Sequence, residues 1–278
     1  MNRPTRSPWP SILKIAFLAL FTAAVIYPVM WVVKMALSPS QGFDASAYPF
    51  PRNPSLENLD YVLFEEPFFT WLFNSTIVSI TTTVLGVFLA CTAGYALSRF
   101  QFPGRSVGML AFLVTQMFPG VMTMIPLYII MDWLNLLNQL LGLTLVYSTT
   151  AIPFCVWMLK GYFDTIPMEL EEAALMDGAS RATIFWRIML PLSLPAVAVT
   201  ALFSFMTAWN EFILAAIFMT EESKYTLPVG LNSMVGQHTA EWGHFAAGAI
   251  LVSIPIMVLF FALQKNLVGG LTAGGVKG

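Results

Sequence analysis

The side chains able to do chemistry are few, and most crowd into one stretch, Pro167 to Pro195, PMELEEAALMDGASRATIFWRIMLPLSLP. Its marked positions are Glu172, Ala173 and Ala174, then Gly178, then Ile188, Leu190 and Pro191. Acids beside alanines do not make a bond-breaking site. They make a charged helix with a shallow face against which another backbone can lie close. Glu169, Glu171 and Glu172 fall in the first turns, where the helix dipole favours negative charge. Elsewhere, Glu211 is the only charge set deep in an apolar run, beside Trp209 and Asn210. Such a charge faces a partner or a watery path. His238 and His244 stand six apart with no cysteine near, so no metal site is expected. Cys91 and Cys155 sit in apolar runs and read as small buried hydrophobes. No G-x-x-x-x-G-K-[ST] phosphate loop, no G-x-G-x-x-G and no G-x-S-x-G elbow occurs. The chain is therefore expected to bind no nucleotide, to hold no cofactor and not to be an enzyme.

The elements that must position these residues follow from spacing. Thr165 or Asp164 is placed to cap a first short helix, and Pro167 suits a first helical position. Leu170, Ala173 and Ala174 lie at i, i+3 and i+4 and form its apolar face. Gly178 ends it in a left-handed turn. Ser180 caps a second helix that carries Arg181 and Arg187. Its apolar face is Ile184, Phe185, Ile188 and Met189, and Pro191 and Pro195 stop it.

Around this polar loop the chain is greasy. It has 278 residues, 57% hydrophobic and 10% charged, with mean hydropathy +0.73. Soluble domains carry about 25% charge, so the class is an integral membrane protein. A net charge of -2 gives no basic surface for nucleic acid. The apolar runs predict six spans, near 12–33, 74–98, 107–131, 140–159, 195–218 and 245–263. The first follows Arg3 and Arg6 and is read as an uncleaved helix. The second carries Gly86, Ala90 and Gly94 at intervals of four, a small-residue line for close helix packing. Pro119-Gly120 and Pro126 interrupt the third. Residues 38–71 form a polar loop with at most a short helix near Leu56 to Phe64. Thr220 to His244 form a second polar loop, made pliable by Gly230, Gly236 and Gly243. The end of the chain, Gly269 to Gly278, is too rich in glycine to favour a helix.

Six spans put both termini on one side. That side holds Arg3, Arg6, Lys14, Arg99, Arg105, Lys160, Arg181, Arg187, Lys265 and Lys277. The other holds only Lys34, Arg52 and Lys224 of the 13 Lys and Arg. By the positive-inside rule both termini and the Glu172 loop are cytoplasmic.

Glu172-Ala173-Ala174, Gly178 and Ile188-x-Leu190-Pro191 match the EAA-x3-G-x9-I-x-L-P signature of ABC importer permeases. The later order of Trp209-Asn210-Glu211-Phe212, Trp242 to Gly248, and Leu271 to Gly278 resembles the smaller, MalG-type permease subunits of maltose/maltodextrin importers. The resemblance implies an all-α integral membrane protein with the type I ABC importer permease fold and six transmembrane helices. Its parts would be a first helix within 1–38, an outer loop at 39–70, a permease domain at 71–265 with its signature loop near 160–191, and a tail at 266–278. It implies a multi-pass protein of the bacterial inner membrane. The implied partners are a larger MalF-type permease, a MalK-type ATPase dimer that binds ATP and Mg, and an extracytoplasmic sugar-binding protein. It also implies roles. Glu172, Ala173, Ala174, Gly178, Ile188, Leu190 and Pro191 would couple to the ATPase, and Asn210 and Glu211 would line a path or gate. Met234, Val235, Gly236, Gln237 and His238 would meet the binding protein. Gly274, Gly275 and Lys277 would dock on the ATPase. The expected substrate is maltose, maltodextrin or a related oligosaccharide, with another sugar or glycerol phosphate as the alternative. An ion-coupled secondary transporter is the competing class.

Overall fold

A computed structural model describes the backbone of residues 9–44, 46–235 and 241–275, and the side chains of 12–44, 46–235 and 241–264. The elements are helices: α1 (Trp9–Ala36), α2 (Glu57–Phe64), α3 (Phe68–Arg99), α4 (Arg105–Met117), α5 (Gly120–Trp133), α6 (Leu140–Phe163), α7 (Glu169–Met176), α8 (Arg181–Ile184), a π-helical turn (Phe185–Met189), α9 (Leu190–Leu192), α10 (Leu194–Trp209), α11 (Ile213–Phe218), a 3-10 turn (Glu222–Lys224), α12 (Leu227–Ser233) and α13 (Trp242–Gly275). Among the described residues four helices are long and apolar enough to cross a membrane: α1, α3, α6 and α13. Two bent pairs raise the number to six if each is one span.

One bend is the interruption expected at Pro119-Gly120 in the third span, and the other lies just before the expected fifth span. α4 and α5 meet at 102°, because Phe118 is extended and Pro119 cannot continue a helix. The segment from Arg181 to Leu192 meets α10 at 76°. Pro191 does not stop that helix. It lacks an N–H, and the chain absorbs the loss with a π-helical turn just before it, where the Leu190 N–H reaches the Phe185 carbonyl. The helix breaks again after Trp209, so the expected fifth span ends near Asn210. The last helix also departs from expectation: α13 runs to Gly275 despite its glycines.

The chain divides into two compact units, 1–68 with 231–253 and 69–230 with 254–278. In the first, α1 is apolar and exposed from Ile12 to Val29, as a lipid-facing helix is. Its end is pinned by Asn58, buried on α2, whose amide donates to the Ala36 and Ser38 carbonyls at 3.0 and 2.7 Å. Gln41 donates to Asn58 at 2.6 Å and accepts from the His244 N–H at 3.2 Å. A Cβ on Gly243 would sit 2.7 Å from Asn58 Nδ2. That contact explains a glycine there. The His244 ring stacks on Tyr61 with centroids 3.8 Å apart and bonds Glu241 at 2.9 Å. Lys34 is buried and pairs with Asp44 at 2.6 Å.

In the second unit α3 packs on α6 and α10. The expected small-residue line does this: Ala90 is fully buried, and a Cβ on Gly94 would sit 3.1 Å from the Lys160 backbone nitrogen. The segment after Phe218 is tied down rather than pliable over residues 220–230. Asn138, itself at φ 57°, accepts from the Thr220 and Glu221 N–H groups at 2.7 and 3.1 Å. Asn74 donates to the Ser223 and Tyr225 carbonyls at 3.0 and 2.9 Å. Ser75 accepts from the Leu227 N–H, and Leu227 is fully buried. Gly230 is packed rather than pliable, since a Cβ there would fall 2.2 Å from the Trp71 ring.

Candidate coupling site

α7 begins at Glu169 without a side-chain cap. Neither expected cap is used. The Thr165 hydroxyl donates to the Tyr162 carbonyl, and the Asp164 carboxylate accepts from Ser98 and Lys160. Partial burial works against the Asp164 anion, but the bonds from Lys160 and Ser98 win and hold its pKa below the ordinary value. α7 ends as expected. Gly178 has φ +83°, and the Ala179 N–H reaches back to the Ala174 carbonyl at 2.9 Å. The Ser180 hydroxyl caps α8 by accepting from the Thr183 N–H at 3.2 Å.

The inward face of α7 is one residue away from the expected one. Glu171 and Ala174 are buried and Leu175 packs beside them, again at i, i+3 and i+4. Leu170, Glu172 and Ala173 point outward and are exposed. Apolar periodicity chose Leu170 because it could not know that Glu171 has partners. Arg99, at the end of α3, donates through Nε to Glu171, and its Nη2 donates to the Ile166 carbonyl at 2.7 Å. The Tyr95 hydroxyl donates to the other Glu171 oxygen at 2.8 Å. The Arg99 and Glu171 side chains are only 4% and 3% exposed. Sequence reasoning missed both, having read Arg99 as a topology charge. The available signal was an arginine in the last turn of a span next to an acid-rich loop.

The second half of the loop matches its expected face. Ile184 and Met189 are fully buried and Phe185 nearly so, with Ile188 and Leu190 packed against them. Pro191 is exposed. Arg181 lies over the Phe100 ring at 5.7 Å. The outward surface thus carries Met168, Leu170, Glu172, Ala173 and Met176, the last 89% exposed. An acid set among exposed apolar side chains on a short rigid helix suits a socket in another protein.

The remaining expected residues lie apart. Glu211 accepts from the Leu214 and Ala215 N–H groups at 2.9 and 3.1 Å and so caps α11. Asn210 is exposed and returns its amide to the Met206 carbonyl. Met234 is buried and Val235 half-buried, while Gly236, Gln237 and His238 lie outside the described residues. Gly274 and Gly275 are in the last turn of α13, and Lys277 lies outside the described residues. Among the described residues no group of His, Cys, Asp or Glu could hold a metal ion.

Residues 82–272 match the family model described as binding-protein-dependent transport system inner membrane component. The chain is 36% identical over 279 residues to the maltodextrin transport system permease protein MdxG of Bacillus subtilis, covering 100% of both chains. It is 38% identical over 276 residues to the maltose/maltodextrin transport system permease protein MalG of Vibrio vulnificus, covering 93% of each. It is 37% identical over 279 residues to the galactooligosaccharides transport system permease protein GanQ of Bacillus subtilis, covering 96% of this chain and 95% of the relative. Its fold is similar to that of a chain in a bacterial ABC transporter that imports the acidic polysaccharide alginate. There the TM-score is 0.78 at 24% identity, over 96% of this chain and 100% of that one.

Proposed function

The chain belongs to the binding-protein-dependent transport system inner membrane components, the ABC importer permeases, and on that premise we propose that it moves maltose, maltodextrin or a related oligosaccharide. It does so with a larger permease, an ATPase dimer that holds ATP and Mg, and an extracytoplasmic sugar-binding protein. Both termini and the 160–191 loop face the cytoplasm of a multi-pass bacterial inner-membrane protein. The span-bearing permease domain is 71–265. ATP closes the ATPase dimer, and α7, seated in a cleft of that dimer, carries the motion into the spans.

One observation carries this reading: α7 is held from inside by a buried ion pair and turns Leu170, Glu172 and Ala173 outward. A helix so anchored transmits force, where a loose loop would not. Ile188 and Leu190 serve the coupling from inside, by holding the π-helical turn and α9 against the core, and Pro191 is exposed beside them. Asn210 and Glu211 bound a break in the helix, where freed backbone groups are tolerated beside a cavity, and we assign them to the pathway. Met234 to His238 meet the binding protein, and Gly274, Gly275 and Lys277 meet the ATPase. The sugar follows the relatives, whose names span maltodextrin, galactooligosaccharides and diacetylchitobiose.

The test is reconstitution. Tagged chain should bring down an ATPase subunit. In proteoliposomes with the binding protein, maltodextrins should stimulate hydrolysis and enter the vesicles, while glycerol phosphate should not. Uptake driven by an ion gradient without ATP would overturn the coupling. ATP-driven uptake of glycerol phosphate alone would overturn the substrate.

A further inference from the structure

The last turn of α3 holds both halves of the polar loop, though 72 residues separate Arg99 from Glu171. Arg99 grips Glu171 and the Ile166 carbonyl, Tyr95 grips Glu171, and Ser98 donates to Asp164. The Tyr95 ring also packs on Phe163 and Phe185, with centroids 5.9 and 5.1 Å apart. Phe100 lies under Arg181. One turn earlier, Gly94 brings α3 against the backbone at Lys160. The loop around α7 is therefore keyed to the end of α3 at several points, and α7 itself through Glu171, where no chain continuity requires it.

Stability alone does not account for the ion pair. Burying two charges takes them from water, and apolar side chains of the same volume often stabilise as well. What the pair adds is direction. At low dielectric the attraction is steep in distance and the guanidinium fork fixes angle. Arg99 and Tyr95 between them engage both Glu171 oxygens, so the joint has one geometry.

We propose that Arg99 and Glu171 are positioning residues that lock α3 and α7 into a single lever. Movement of α7 is delivered directly to α3, and not only to α6 and α10, the long helices on either side of the loop in sequence. The inference rests on the coupling role of α7 and adds the span that receives the motion.

The experiment uses the full complex in proteoliposomes. The double variant Arg99→Met with Glu171→Met removes both charges and keeps apolar volume. It should recover the ATPase and hydrolyse ATP, while sugar moved per ATP falls about tenfold, within the usual range of coupling free energies. Arg99→Lys keeps the charge without the fork and should fall between. Wild-type coupling in the assembled double variant would overturn the proposal. Should that variant fail to assemble, spin labels decide. Labels at Gln101→Cys, two residues beyond the end of α3, and at Glu169→Cys on α7, both exposed positions, should keep one separation with and without ATP, because the end of α3 and α7 move together. A change in that separation would overturn the lever. Wild-type chain that brings down no ATPase would instead sink the coupling role itself, which the reconstitution above shows separately.

Discussion

Gly178 and Gly230 are glycines for different physical reasons, and their variants should fail differently. Gly178 has φ +83°, and a Cβ added there would meet nothing within 4 Å, so only backbone strain opposes a side chain. That strain is about 1–2 kcal/mol for an ordinary residue. Asparagine visits the left-handed region, so Gly178→Asn should transport nearly as wild type. Gly178→Val should insert normally and lose most uptake, because α8 would leave α7 at the wrong angle. At Gly230 a Cβ would strike the buried Trp71 ring. Gly230→Ala should lower stability by about 1–3 kcal/mol, read as earlier thermal unfolding of the purified protein. The Asp44 carboxyl responds to pH. The Lys34 hydrogen bond, helped by the Ser46 N–H, holds it at about 2. A depressed carboxyl contributes fully above its unfolded value, about 3.9, and loses that contribution as pH falls through about 2. Limited proteolysis of the 39–56 segment should therefore be unchanged between pH 7 and about pH 5 in wild type. It should be faster in Asp44→Asn at both.

At the scale of elements, α7 shows what was legible and what was not. Its ends were readable, since Gly178 and Ser180 are local signals that need only their neighbours. The apolar face of the second half was readable too, because Ile184, Phe185 and Met189 have no better place than the core. The inward face of α7 was not, because it is chosen by Arg99 and Tyr95, distant in sequence. Bends were half legible: Pro119 marked the break between α4 and α5, but not its 102°. Pro191 was read as a stop because a proline removes a donor, and the π-helical turn that accommodates it has no simple sequence mark. The corrected face makes a prediction. Ala173→Trp adds bulk on the outward side and should cut ATPase recovery by about tenfold or more, as loss of a strong contact does. Ala174→Trp adds it to the buried side and should reduce the amount of folded chain instead. If both variants recover ATPase equally, α7 is not the docking helix.

For the whole molecule, the question is which way it faces the two compartments. Hydropathy cannot answer, because a span is equally apolar read from either end. Charge can. Ten of the 13 Lys and Arg fall on one predicted side, and moving even a few across a bilayer is unfavourable during insertion. The signature loop lies on that same predicted side, and the cytosolic ATPase we propose as its partner can reach it only there, so both arguments predict one orientation. Single cysteines at Ser46, Ser180 and Ser223, all outside the apolar runs, report on this in sealed cells, since Cys91 and Cys155 are buried. A membrane-impermeant maleimide should label Ser46→Cys and Ser223→Cys from outside. It should reach Ser180→Cys only after the membrane is opened. Labelling at position 180 in sealed cells would invert the protein, and with it the placement of α7 against any ATPase.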